Sequence, residues 1–197
     1  MSDREEGLLF NLTSGATVIS PDRRHSMTFD REGRLHFYFR RGSTYKRSLG
    51  SDVHLRFQDA GRQRRELTGT EAASIFAETY GKAREVAKIA QGGLKSRLDE
   101  EILRWSPARL AEERERFLAV YRPVSILPPD QYLSIVVQAT EGCSWNRCTF
   151  CSFYMDRPFK TKSADEFRRH VEGVKDLLGA GIRLRRGVFL ADGNALA

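Results

Sequence analysis

Apolar and polar positions alternate in short runs between Leu8 and Phe57, the period of half-buried β-strands. Leu35, Phe37 and Phe39 alternate with His36 and Tyr38, so the three are expected on one face. Val53, Leu55 and Phe57 alternate with His54 and Arg56 in the same way. Asp30-Arg31-Glu32-Gly33 separates Met27-Thr28-Phe29 from the Leu35 run and predicts a hairpin with glycine at a positive-φ position. At Thr70 the period becomes helical. Ala72, Ile75, Phe76, Ala83, Val86, Ala87 and Ala90 fall near one stripe, and Gly92-Gly93 is expected to end it. Leu94, Leu98, Ile102 and Trp105 recur at helical intervals and predict a second helix. Ser106-Pro107 supplies the N-cap and first position of a third, running to Tyr121. Pro123 and Pro128-Pro129 make Arg122 to Asp130 a linker.

Beyond the linker the pattern changes again. Tyr132 to Ala139 is a nearly continuous, β-branched apolar run, as expected of a parallel strand buried on both faces. Ser163-Ala164-Asp165-Glu166 is a capping box. It opens a helix whose stripe is Phe167, Val171, Val174, Leu177 and Leu178, and which stops at Gly179 and Gly181. Gly187 to Ala191 reads as a second buried strand, completing a βαβ unit with a right-handed crossover. The expected organisation is α/β: an antiparallel β module over 1–67, a helical segment and linker over 68–127, and βα units over 128–197. Ligands of such sheets gather at the carboxyl ends of the strands. Glu141–Cys151 and Asp192-Gly193-Asn194 both fall there.

Composition and charge narrow the function classes. No apolar run approaches the roughly 18 residues of a membrane span. The amino terminus has acids where a signal peptide has a basic region, so a cytoplasmic location is expected. The net charge of +7 is spread over short arginine clusters with acids between them. That fits solvated surface better than a nucleic-acid footprint, while favouring an anionic substrate over a cationic one. His36, Tyr38, Arg40, Arg41, Tyr45, Lys46 and Arg47 interleave aromatic and basic character as a base-stacking platform does. A plain sheet with an amphipathic outer face accounts for them better.

All 3 cysteines lie in one stretch: Cys143, Cys148 and Cys151, spaced C-x4-C-x2-C. Clustered thiolates are soft ligands for iron-sulfur clusters, zinc or copper(I). Structural zinc normally takes four protein ligands, with cysteines in two separated pairs. Here only Cys148 and Cys151 have knuckle spacing, and a fourth ligand would have to be sought in His170, expected on a helix surface. Three thiolates suit a [4Fe-4S] cluster with one iron left open. Two other readings stand beside it: a zinc-stabilised nucleic-acid-binding protein, and a metal-free redox sensor.

The loop CSWNRCTFC, after an apolar strand and before a helix and a strand ending in Asp-Gly-Asn, resembles the signature region of the radical S-adenosylmethionine enzymes. The resemblance covers about residues 128 to 197 and implies the start of a partial TIM-type βα barrel. It implies that Cys143, Cys148 and Cys151 bind a [4Fe-4S] cluster, that Phe150 lies near the adenine of S-adenosylmethionine, and that Asp192, Gly193 and Asn194 contact its methionine amino group. The chemistry implied is reductive cleavage, with an electron donor, to a 5'-deoxyadenosyl radical that abstracts hydrogen from a substrate. The first cysteine gap is one residue longer than the family's commonest C-x3-C-x2-C, and Asp-Gly-Asn stands where Gly-Gly-Glu is usual. A complete barrel takes about 250 residues. The 197 residues are therefore expected to be an N-terminal portion, not catalytically competent alone.

Overall fold

The computed structural model describes residues 7–124 and 126–195. Strands β1 (Leu9–Leu12), β2 (Ala16–Asp22), β3 (His25–Asp30), β4 (Leu35–Arg40), β5 (Ser43–Arg47), β6 (Val53–Gln58) and β7 (Arg62–Glu66) form one antiparallel meander whose spatial order is the chain order. The chain falls into two compact units, Met1–Glu115 and Arg116–Ala197, and the meander belongs to the first.

The predicted β3–β4 hairpin is present, with Gly33 at φ +84°. Its strand faces differ from the alternation expected. Phe29 pairs with Leu35 but Thr28 pairs with Phe37, so a bulge at His36 resets the register. Leu35 and Tyr38 therefore point into the core, while Phe37 and Phe39 turn to the opposite face. One inserted residue flips every side chain beyond it.

Helix α1 (Gly69–Ala87) starts at a reciprocal capping box. The Thr68 hydroxyl accepts from the Glu71 N–H, and the Glu71 carboxylate accepts from the Thr68 N–H. Its buried residues Ala72, Ile75, Phe76, Tyr80, Ala83 and Val86 join Ile19, Met27, Phe29, Leu35, Tyr38 and Val53 of the sheet in one core. Gly92-Gly93 opens a helix instead of ending one: α2 (Gly92–Arg97) begins there and runs into a wider π-helical turn at Leu98–Ile102. Helix α3 (Pro107–Val120) follows.

The 30–34 hairpin turn is held from several sides. The Asp30 carboxylate accepts from the Glu32 and Arg34 backbone N–H groups (3.0 and 2.9 Å) and from Arg34 Nε (3.0 Å). Arg34 Nη1 donates to Glu113 Oε2 at 2.8 Å, with all three side chains buried. Arg31 forks onto Glu101, and the Trp105 indole donates to the Glu32 carbonyl. Tyr80 donates its hydroxyl proton to the Gly33 carbonyl (3.1 Å) and accepts from the Leu35 N–H (3.0 Å).

In the second unit, β8 (Ile135–Gln138) pairs in parallel with β11 (Val188–Ala191), joined through α4 (Ala164–Leu178). A short antiparallel pair, β9 (Thr140–Glu141) and β10 (Lys160–Thr161), stands apart from it. The expected start of a TIM-type barrel is therefore incorrect. The main sheet is the antiparallel meander, the parallel sheet has two strands, and no barrel closes among the described residues. Of the two apolar runs expected to be buried on both faces, β8 is buried at Val136, Val137 and Gln138, while β11 is not. Val188 is 65% exposed, and Phe189 and Leu190 are only half-buried. Among the described residues no helix is long and apolar enough to cross a membrane.

His170 is buried, contrary to its expected place on the surface. Its Nδ1 donates to the Val120 carbonyl (3.2 Å), which can only accept. Nε2 therefore carries the lone pair that receives the Gln138 N–H at 2.9 Å. Burial, then the nearby Lys162 charge, push its pKa down. An unfolded histidine protonates near its ordinary value of about 6.5, before the folded one does. The stabilisation is therefore complete above that value and is lost as pH falls from it through the folded pKa. Thermal unfolding followed between pH 8 and 5 is expected to show this decline, and His170→Gln to flatten it; superimposable profiles would exclude the assignment.

Candidate metal and cofactor site

Because β8 and β11 run in parallel, with Gln138 opposite Ala191, both strands end at the same edge. The cysteine loop leaves from one and the Asp192-Gly193-Asn194 turn from the other, and hydrogen bonds join them. The Gly142 N–H donates to Asp192 Oδ2 (3.1 Å), and the Gly193 N–H to the Gly142 carbonyl (3.2 Å). Asn194 Nδ2 donates to Ser144 Oγ (2.8 Å), and the buried Thr140 hydroxyl donates to the Asn194 carbonyl (3.2 Å). Cys143 is enclosed between Gly142 and Ser144 in this contact.

Gly193 permits the approach. A Cβ there would lie 2.7 Å from Tyr154 Cε2 and 3.1 Å from both Cys143 Cβ and the Gly142 oxygen. Asp192 Oδ1 is buried yet receives no hydrogen bond of acceptable geometry. The Tyr154 phenol is its neighbour. Burial, then the adjacent Asp192 carboxylate, push that phenol well above its ordinary pKa. Tyr154 stands beside the Asp192 carboxylate, and Oδ1 keeps capacity to accept a further donor.

Residues 142–159 contain no helix or strand. Long irregular loops inside compact domains are usually functional. The base of this one is closed by β9 and β10, with Lys162 Nζ 2.9 Å from Glu141 Oε1. Burial opposes ionisation of Glu141, but Lys162 and the charges of Arg122 and Lys160 outweigh it and lower its pKa. Inside the loop Asn146 adopts φ 44° and donates Nδ2 to the Tyr154 carbonyl at 2.8 Å. Tyr154 is itself buried, under the Arg157 guanidinium at 5.8 Å.

All three cysteines are free and half-buried. Among the described residues no three His, Cys, Asp or Glu side chains are gathered closely enough to hold a metal ion. The structure thus brings Cys143 against Gly193, and its neighbours Gly142 and Ser144 against Asp192 and Asn194, but does not draw the three thiols into one ligand set among the described residues. Phe150 is 91% exposed and packs against almost nothing; Trp145, Phe153 and Met155 are exposed with it. His170 has both ring nitrogens engaged by backbone groups, so it offers no lone pair to a fourth zinc coordination position.

By donor chemistry alone, three cysteines within nine residues would suit an iron-sulfur cluster that leaves one iron for an outside ligand. Metal binding can supply the free energy that orders such ligands. Gly142, Ser144 and Thr140 were not singled out as site residues by sequence. The Glu-Gly-Cys step gave a faint signal for Gly142, a buried glycine at φ +80°. Comparisons with protein-family models, curated proteins and solved structures return no match to this chain.

Proposed function

We propose that Cys143, Cys148 and Cys151 bind a [4Fe-4S] cluster and that S-adenosylmethionine binds at its open iron, for reductive cleavage in the service of a reaction on an unidentified substrate. The observation that carries this reading is the hydrogen-bonded contact of the Asp192–Asn194 turn with Gly142 and Ser144, which flank the first cysteine. When bound, the cluster supplies an iron that chelates amino and carboxylate groups and an electron, delivered by an outside donor, for breaking the sulfonium bond.

The chain's own groups have distinct tasks. Asp192 Oδ1, a buried acceptor without a hydrogen bond, suits an ammonium group entering beside Cys143. Gly193 keeps that entrance clear of a side chain, and the Asn194 amide, tied to Ser144, holds the loop to the turn. Phe150, exposed on the same loop, has a free ring face for an adenine once the loop closes.

Anaerobic reconstitution with iron and sulfide tests the reading. About four irons per chain and a brown visible spectrum are expected, both lost when any one of the three cysteines becomes alanine. Asp192→Asn is expected to weaken S-adenosylmethionine binding with iron content unchanged. A colourless protein that takes up zinc in place of iron would overturn the proposal.

A further inference from the structure

We propose that the outer face of the seven-stranded meander binds single-stranded RNA. The His36 bulge sends Phe37 and Phe39 to this face, away from the core, and Phe39 is 38% exposed. A sheet face that meets only water does not need two phenylalanines side by side. Their row neighbours are basic. Phe37 stands opposite Lys46, whose ammonium lies 5.7 Å from the ring centroid. From Phe39 the cross-strand row continues through Thr44 to Arg56 and Arg64, with Arg62 one step along β7. Arg56, Arg62 and Arg64 are exposed and have no acidic partner among the described residues. Glu66, an acid on this face, is turned to His54 at 3.9 Å.

Arginines on an edge strand also discourage strand-to-strand aggregation, and β7 is an edge. That account covers the arginines and leaves the phenylalanines unexplained. Together the two features form a stacking surface beside a cationic track, the arrangement by which open sheets hold unpaired bases while following the phosphates. Phe37 and Phe39 are about 7 Å apart along the strand, a step that an unstacked chain can span. The Thr44 hydroxyl, between the rings and the arginines, offers a partner to a ribose 2'-hydroxyl, which selects RNA over DNA. The proposal is independent of the cluster, since every residue it uses lies in the first unit.

Fluorescence anisotropy of the full chain with a short labelled oligouridylate tests it. Between about 50 and 200 mM salt the logarithmic slope is expected near −2 to −3, from four cations at roughly 0.7 each. Phe37→Ala and Phe39→Ala are each expected to weaken binding roughly tenfold or more, with Phe→Trp variants retaining it. Arg56→Ser and Arg64→Ser are expected to lower affinity and flatten the slope by about 0.7 each. Phe39, Arg56 and Arg64 are exposed and Phe37 is half-buried, and circular dichroism of each variant checks its fold. Equal affinity for oligothymidylate, preference for a duplex, indifference to the Phe variants, or loss of binding in cysteine variants would each overturn the proposal.

Discussion

Gly33→Ala is expected to remove a large share of the stability of the N-terminal unit. A Cβ at Gly33 would lie 2.1 Å from the Glu101 carbonyl oxygen and 2.8 Å from Ile102 Cα, both backbone atoms that no rotamer can move. The residue also sits at φ +84°, where an L side chain adds about 1–2 kcal/mol of its own. To escape, the hairpin must lift off the Leu98–Ile102 turn, loosening the Arg31–Glu101 fork and the Trp105–Glu32 bond together. A loss of about 4 kcal/mol or more follows, against roughly 5–15 for a whole domain. Gly42 provides the control. It has the same φ, but nothing lies within 4 Å of its would-be Cβ. Gly42→Ala should therefore cost only the conformational share, about 1–2 kcal/mol. Urea denaturation of both variants separates the two contributions. Equal midpoints would mean that the hairpin turn does not touch the helical segment.

Arg34→Leu comes next in size. Arg34 is 2% exposed between Asp30 and Glu113, and its removal leaves two carboxylates in the core without their cation. Breaking a buried ion group from one side typically costs about 3–5 kcal/mol, because the survivors have lost water and gained nothing. Asp30 cannot simply be made apolar in compensation, since it also caps the turn through the Glu32 and Arg34 N–H groups. Glu113 reaches Arg34 from α3, outside the turn. The double variant Arg34→Leu, Glu113→Leu is therefore expected to recover part of the loss in denaturant unfolding. A double variant less stable than Arg34→Leu alone would show that Glu113 contributes more than its ion pair.

What the sequence revealed follows the range of the interactions involved. Gly33, the Ser163 capping box and the β11–β8 strand pair rest on local chemistry or on long apolar runs, and they were legible. The bulge at His36 was not, because alternation assumes an unbroken register and the bulge answers to how the hairpin fits the helices. Arg34 reads as surface in any local window; its partner Glu113 is 79 residues away. His170 failed for the same reason, its partners Val120 and Gln138 lying outside its helix. At the candidate site the three cysteines and the Asp192–Asn194 turn were both visible in the sequence, and the strand register brings the neighbours of Cys143 against that turn. The enclosure by Gly142, Thr140 and Tyr154 was hidden, since it depends on how two strand ends meet. The barrel was implied by the likeness of the cysteine loop, and a loop's likeness does not say how many strands will stand beside it.

The meander has a kinetic corollary. Each of its strands pairs with the next one along the chain, so its contacts close short loops and lose little chain entropy one at a time. The pair that carries the cysteine loop joins Ile135 to Val188, so its pairing closes a long stretch of chain that includes α4. Folding speed follows such differences in sequence separation. The first unit is thus the fast-assembling part of the molecule, and the edge where Cys143 meets Gly193 is among the last places the newly made chain acquires its shape.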